Sequence, residues 1–257
     1  MNFDLIQSLG PVLVAASIAL ALLAGFIKGT VGFALPMILI SGLASFLPPD
    51  VALAGLIVPA VVANVWQALR NGPIAAIASA RIHWRFLLML LVFIALSAQL
   101  VTTLPAWLLF LILGVPVTGF AILQLVGWRP HVDASNRRPV ELGVGAFSGF
   151  LGGISGIWGP PTVLYLTALN TPKVEQMRVQ GVVYGAGAIT LALAHTKSGV
   201  LTAPSVTLSF LLLGPALVGL VLGFMVQDRL DQDKFRKVTL LVLVVAGLNL
   251  IRRGLMG

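Results

Sequence analysis

Two stretches decide how this chain is read: Ala24-Gly-Phe-Ile-Lys-Gly-Thr-Val-Gly-Phe-Ala-Leu-Pro36 and Ser148-Gly-Phe-Leu-Gly-Gly-Ile-Ser-Gly-Ile-Trp-Gly-Pro160. Gly25, Phe26, Gly29, Gly32 and Pro36 of the first match Gly149, Phe150, Gly153, Gly156 and Pro160 of the second, each pair 124 residues apart. Each copy lies in a long apolar run, where Gly and Pro at this density interrupt a helix. In hydrocarbon an interrupted helix leaves backbone N–H and C=O groups unpaired, which is tolerated only where protein or a polar cavity surrounds the break. Equivalent breaks in two halves are the best sequence pointer to a solute site near the membrane midplane.

The totals agree with a membrane setting. Of 257 residues, 58% are hydrophobic and 9% charged, against about a quarter charged in soluble domains; the mean hydropathy is +1.04. Apolar runs near 20 residues, rather than alternating ten-residue segments, predict an all-α integral membrane protein and not a barrel. The net charge of +8 sits in short loops between the runs, which the positive-inside rule explains without a nucleic-acid partner. The absence of cysteine excludes disulfides, thiolate metal sites and cysteine nucleophiles. The first ten residues lack the positive n-region of a signal peptide, so the first apolar run is expected to stay in the mature protein.

Residues 11–47 form a run split at Gly29–Gly32, followed by spans at 51–69, 86–102 and 106–127, with a loop from Arg70 to Arg85. Residues 140–169 form a second run, split at Gly152–Gly159, followed by spans at 179–194, 203–226 and 238–251. A hydropathy window thus reports about eight segments, four per half: a first repeat at 1–127, a cytoplasmic linker at 128–139 and a second repeat at 140–257. If each split run crosses once, the halves are parallel and nine Lys/Arg face one side against six. If each split run turns back as a hairpin, the halves are inverted. Arg70, Arg81, Arg85, Arg129, Arg137, Arg138, Lys173, Arg178, Arg229, Lys234, Arg236 and Lys237 then share one side, leaving Lys197, Arg252 and Arg253 on the other. Twelve against three favours the inverted repeat.

Lys28 is the one charged side chain inside an apolar run, where insertion costs roughly 2.5–3.5 kcal/mol. It either supplies positive potential for an anion, with the backbone N–H groups freed at the break, or snorkels to an interface. The Gly25/Gly29 and Gly149/Gly153 spacings also suit close helix packing, but their repetition with Pro at the same offset points to functional breaks. Gly25, Lys28, Gly29, Gly32, Gly153 and Gly156 are therefore candidate substrate-binding residues. Asn64, Gln67, Gln180 and Tyr184, on the spans after each break, and Trp158 beside the second join them as groups able to hydrogen-bond or line a substrate, each with interhelical packing as the competing role. Arg178 reads as a positive-inside arginine, His195 as a loop residue, and the eight acidic residues as lying in loops or termini. No metal, nucleotide-binding or hydrolase motif is present, so no cofactor and no enzyme activity are expected. An anionic solute suits this pattern better than a cation.

With both repeats in view, AGFIKGTVGFALP, SGFLGGISGIWGPP and the spacing of the spans resemble the sulfite exporter TauE/SafE family of bacterial membrane proteins over nearly the whole chain. The resemblance implies a multi-pass permease of the bacterial inner membrane that moves sulfite, organosulfonates or related small anions. Lys28-Gly29-Thr30, where family members often carry a more glycine-rich run, and Trp158 before Gly159-Pro160 imply a tuned substrate choice. A channel-like anion pore and a non-transport assembly or sensor subunit are the alternatives.

Overall fold

The computed structural model describes residues 4–43, 45–47, 49–97, 106–128, 132–133, 135–155, 157–197 and 203–256. Among them the chain forms α-helices and no strand. In order these are α1 Asp4–Val31, α2 Leu35–Leu43, α3 Pro49–Leu69, α4 Pro73–Ile82, α5 Trp84–Ser97, α6 Ala106–Leu125, α7 Arg137–Ser155, α8 Gly159–Ala168, α9 Lys173–Lys197, α10 Ala203–Arg229 and α11 Gln232–Met256.

Among the described residues three stretches, Gly10–Val31, Thr207–Arg229 and Gln232–Met256, are long and apolar enough to cross a membrane, and α4 with α5 would make a fourth span bent by 82°. The two glycine-rich runs do not become long straight helices: the first is divided between α1 and α2 and the second between α7 and α8.

Small residues set how the helices pack. Gly25 and Gly29 of α1 lie so close to α10 that a Cβ on them would stand 2.0 Å from the Ala216 carbonyl oxygen and 2.2 Å from that of Leu220. Gly219 and Gly223 return the contact, at 2.0 and 2.2 Å from the carbonyl oxygens of Leu22 and Phe26. Residue numbers rise together along this seam, so α1 and α10 run parallel. The same device joins α7 to α5, also in parallel: Gly145 meets Phe86 and Gly149 meets Leu90. By contrast α3 and α9 are antiparallel, Gly181 meeting Ala68 and Gly185 meeting Asn64. Backbones that touch directly gain dispersion contacts without help from water exclusion, which is what drives helix association in lipid.

Charged side chains gather at one end, hereafter the basic face. Arg70 bridges to Asp228 at 2.5 Å, and Arg178 Nε donates to Ser79 Oγ at 2.7 Å. Lys173 Nζ donates to the carbonyls of Gln227 and Leu230 at the C-terminus of α10, where a cation complements the helix dipole.

Four sequence expectations change here. The Arg70–Arg85 loop contains a helix, α4, opened by Gly72 at φ 89 and Pro73 in its first turn. Helix α7 begins at Arg137, inside the 128–139 linker. His195 lies within α9 rather than a loop. Glu141, expected in a loop, is fully buried within α7. It survives there because two arginines and a hydroxyl reach it: Arg137 Nε at 2.7 Å, Arg85 Nη1 at 3.3 Å and the Tyr165 hydroxyl at 3.2 Å. Tyr165 in turn stacks on Phe86 at 4.7 Å and meets His83 Nδ1 at 3.0 Å.

Candidate functional site

Helix α1 stops at Val31 because the next residues leave helical geometry: Gly32 has φ 89 and Ala34 φ 77. Glycine accepts such angles freely and alanine does not, so Ala34 is held there by its surroundings. Pro36 then sits in the first turn of α2, where its missing N–H costs nothing. The second break separates α7 from α8, with Trp158 preceding Gly159 and Pro160.

The carbonyl of Gly32, freed by the first break, becomes the meeting point of three side chains. Lys28 Nζ donates to it at 3.3 Å and Gln67 Nε2 at 3.2 Å. The amide of Gln180, oriented with its nitrogen toward the chain, reaches the carbonyls of Gly32 and Val31, both at 3.1 Å. Gln67 also donates to the Met177 carbonyl at 2.7 Å, tying α3 to α9. An unpaired buried carbonyl would cost about 1–3 kcal/mol. Part of the polar set is therefore committed to the break itself.

Lys28 is 1% exposed, among the largest of the wholly buried side chains of the described residues. Besides Gly32 it donates to Asn64 Oδ1 at 2.5 Å and stands 5.7 Å from the centroid of the Tyr184 ring, within cation–π range. Acidic partners are absent from these contacts, so its charge is balanced by dipoles and a ring face.

A cavity of about 30 Å³ opens beside the amine, lined by Lys28, Asn64, Trp158 and Tyr184 together with residues at the start of α2 and α8 (Ala34, Pro36, Gly159, Pro160) and the apolar Phe33, Met37 and Ile157. That is room for about two waters. Both half-helices aim their N-termini at it, each carrying roughly half a positive charge. Tyr184 closes one wall by donating its hydroxyl to the Gly159 carbonyl at 3.0 Å. Trp158 forms another, its ring slotted against Gly152 and Gly187, where a Cβ would come within 2.7 and 3.1 Å of ring carbons. Gly152 is the residue 124 positions after Lys28: where one break carries a cation, the other makes room for an indole.

The structure thus brings Lys28, Asn64, Trp158 and Tyr184 to one cavity. Gln67, Gln180 and Gly32 lie just behind it, bonded to one another through the Gly32 carbonyl. Gly25 and Gly29 face α10 instead, and Gly153 is buried in the last turn of α7; Gly156 lies outside the described residues. Sequence reasoning missed Phe33, Ala34, Met37 and Ile157, and used Pro36, Gly159 and Pro160 only to mark the breaks. Their signal was position alone, directly after each break. Among the described residues no cluster of three or more metal-ligating side chains occurs.

A family model described as Sulfite exporter TauE/SafE matches residues 17–250, a range that includes both breaks and every residue of the cavity. No curated protein and no solved structure matches the chain.

Proposed function

The chain belongs to the sulfite exporter TauE/SafE family, and from that premise we propose that it carries small sulfur-containing oxyanions, sulfite first among them, across the bacterial inner membrane by alternating access. The observation that carries the reading is the convergence of one buried cation and two half-helix N-termini on a single cavity. Fixed donors and dipoles that need no reorganisation favour an anion there. Lys28 is the charge, Asn64 and Tyr184 orient its amine, and Trp158 limits the size of the guest. The small volume fits a carrier site for one small solute better than an open pore.

Residues 1–127 and 140–257 act as inverted repeats joined by 128–139. Helix α1 runs parallel to α10 and ends near the basic face, where α10 also ends; α7 runs parallel to α5 and starts at that face, where Arg85 meets Glu141. The two split runs therefore approach the cavity from opposite sides. Rocking one repeat against the other exposes the site to each face in turn.

Uptake of labelled sulfite into proteoliposomes tests this directly. A carrier gives saturable uptake that is accelerated by unlabelled sulfite inside. Flux that rises linearly with concentration would make the protein a pore, and no flux at all would leave a non-transport role.

A further inference from the structure

A second polar cavity, of about 130 Å³, lies at the basic face between the ends of α3 and α10 and the first turn of α9. The proposed carrier site does not use it. Its walls are Gln67, Arg70, Asn71, Met177, Gln227 and Asp228, with Val174 and Phe224. Resting on the transport reading, we propose that this cavity is an anion-binding vestibule between the cytoplasm and the Lys28 site, with Arg70 as its receptor and Gln67 as its inner gate.

Arg70 is held ready by groups that leave it replaceable. Its guanidinium lies 4.1 Å from the centroid of Phe224 and donates to Gln227 Oε1 at 2.9 Å and to Asp228 Oδ2 at 2.5 Å. Asp228 is the resident anion, and its side chain is 58% exposed. An exposed ion pair of this kind contributes little, so an incoming oxyanion can take the carboxylate's place on the planar fork that suits it. The N-terminus of α9 lends the same sign of potential through its first turn. Lys173 covers the opposing C-terminal carbonyls of α10.

The floor of the vestibule is Gln67, which is 2% exposed. Its Nε2 is committed to the carbonyls of Met177 and Gly32, while its Oε1 is buried without a partner. That oxygen is a place for a water or a protonated oxygen of the guest. On the far side of the same Gly32 carbonyl stands Lys28 Nζ. One amide and one carbonyl therefore separate the two cations, and swinging Gln67 off Gly32 and Met177 joins the cavities.

The test is sulfite transport in vesicles of known orientation, with wild type, Arg70→Gln and Asp228→Asn. The vestibule predicts opposite effects. Arg70→Gln raises the half-saturating sulfite concentration at the basic face about tenfold, Asp228→Asn lowers it several-fold, and neither moves it at the opposite face. Stabilisation of the detergent-purified variants by sulfite, which reads the Lys28 site, persists in both. If both variants shift the same way, or either shifts both faces equally, Arg70–Asp228 is a structural pair and the vestibule is overturned. Wild-type vesicles that take up no sulfite would overturn the transport reading itself.

Discussion

Lys28 Nζ stands 2.5 Å from Asn64 Oδ1, so the buried amine is oriented by a neutral amide on α3 rather than by a carboxylate. A carboxylate there would give a better ion pair and a worse anion site, because the positive potential would be spent before the guest arrived. Asn64→Asp is therefore expected to keep the fold and lose the function. Its melting temperature in detergent should equal or exceed wild type, and sulfite should no longer raise it. Asn64→Ala should only weaken the sulfite response, since it removes the orienting oxygen and leaves the charge.

Packing of α1 on α10 gives a second expectation. Gly25→Ala puts a methyl group 2.0 Å from the Ala216 carbonyl oxygen, so the helices must separate, at about 1–3 kcal/mol. Gly143 in α7 has nothing within 4 Å of the equivalent position. Gly143→Ala should be stabilising or neutral, since alanine is favoured in helices by up to about 1 kcal/mol. Melting temperatures of the two variants check the pair: a fall for Gly25→Ala and none for Gly143→Ala.

Glu141 allows a thermodynamic cycle. Removing either Arg85 or Arg137 leaves the carboxylate one cationic partner, whereas removing both strands a wholly buried charge. The double variant Arg85→Ala/Arg137→Ala should thus lose more stability than the sum of the single changes, by about 1–3 kcal/mol. Simple additivity in a denaturation series would show that the two arginines do not substitute for one another at Glu141.

Because the chain has no cysteine, single cysteines report topology cleanly. Cysteines at Arg81 and Lys234 should be labelled by an impermeant maleimide only from the cytoplasm, and one at Arg252 only from the other side. Labelling of Arg81 and Lys234 from opposite sides would exclude the inverted arrangement.

What the sequence made legible follows from the physics of hydrocarbon. Composition fixed the helical membrane class, and glycine with proline located both breaks, because nothing else ends a helix in an apolar run so sharply. The target of a polar side chain was less visible. Gln67 and Gln180 looked like substrate ligands, yet both meet the carbonyl that Gly32 exposes, a demand created only when the chain leaves the helix. Gly25 and Gly29 were read with the break, but they sit about two turns and one turn before Gly32 and serve the seam with α10. Glu141 looked like a loop residue because its arginines come from two different helices. Tertiary partners of this kind leave no trace in local pattern.

The central claim is that one anion sits between the two breaks on the charge of Lys28. Equilibrium binding of sulfite to the purified protein, wild type against Lys28→Met, tests it most directly. Methionine keeps an unbranched side chain, one atom shorter, and removes the charge. The account predicts saturable, high-affinity binding to wild type and at least a hundredfold weaker binding to Lys28→Met, with the variant still folded. Equal affinity in the two proteins would contradict it.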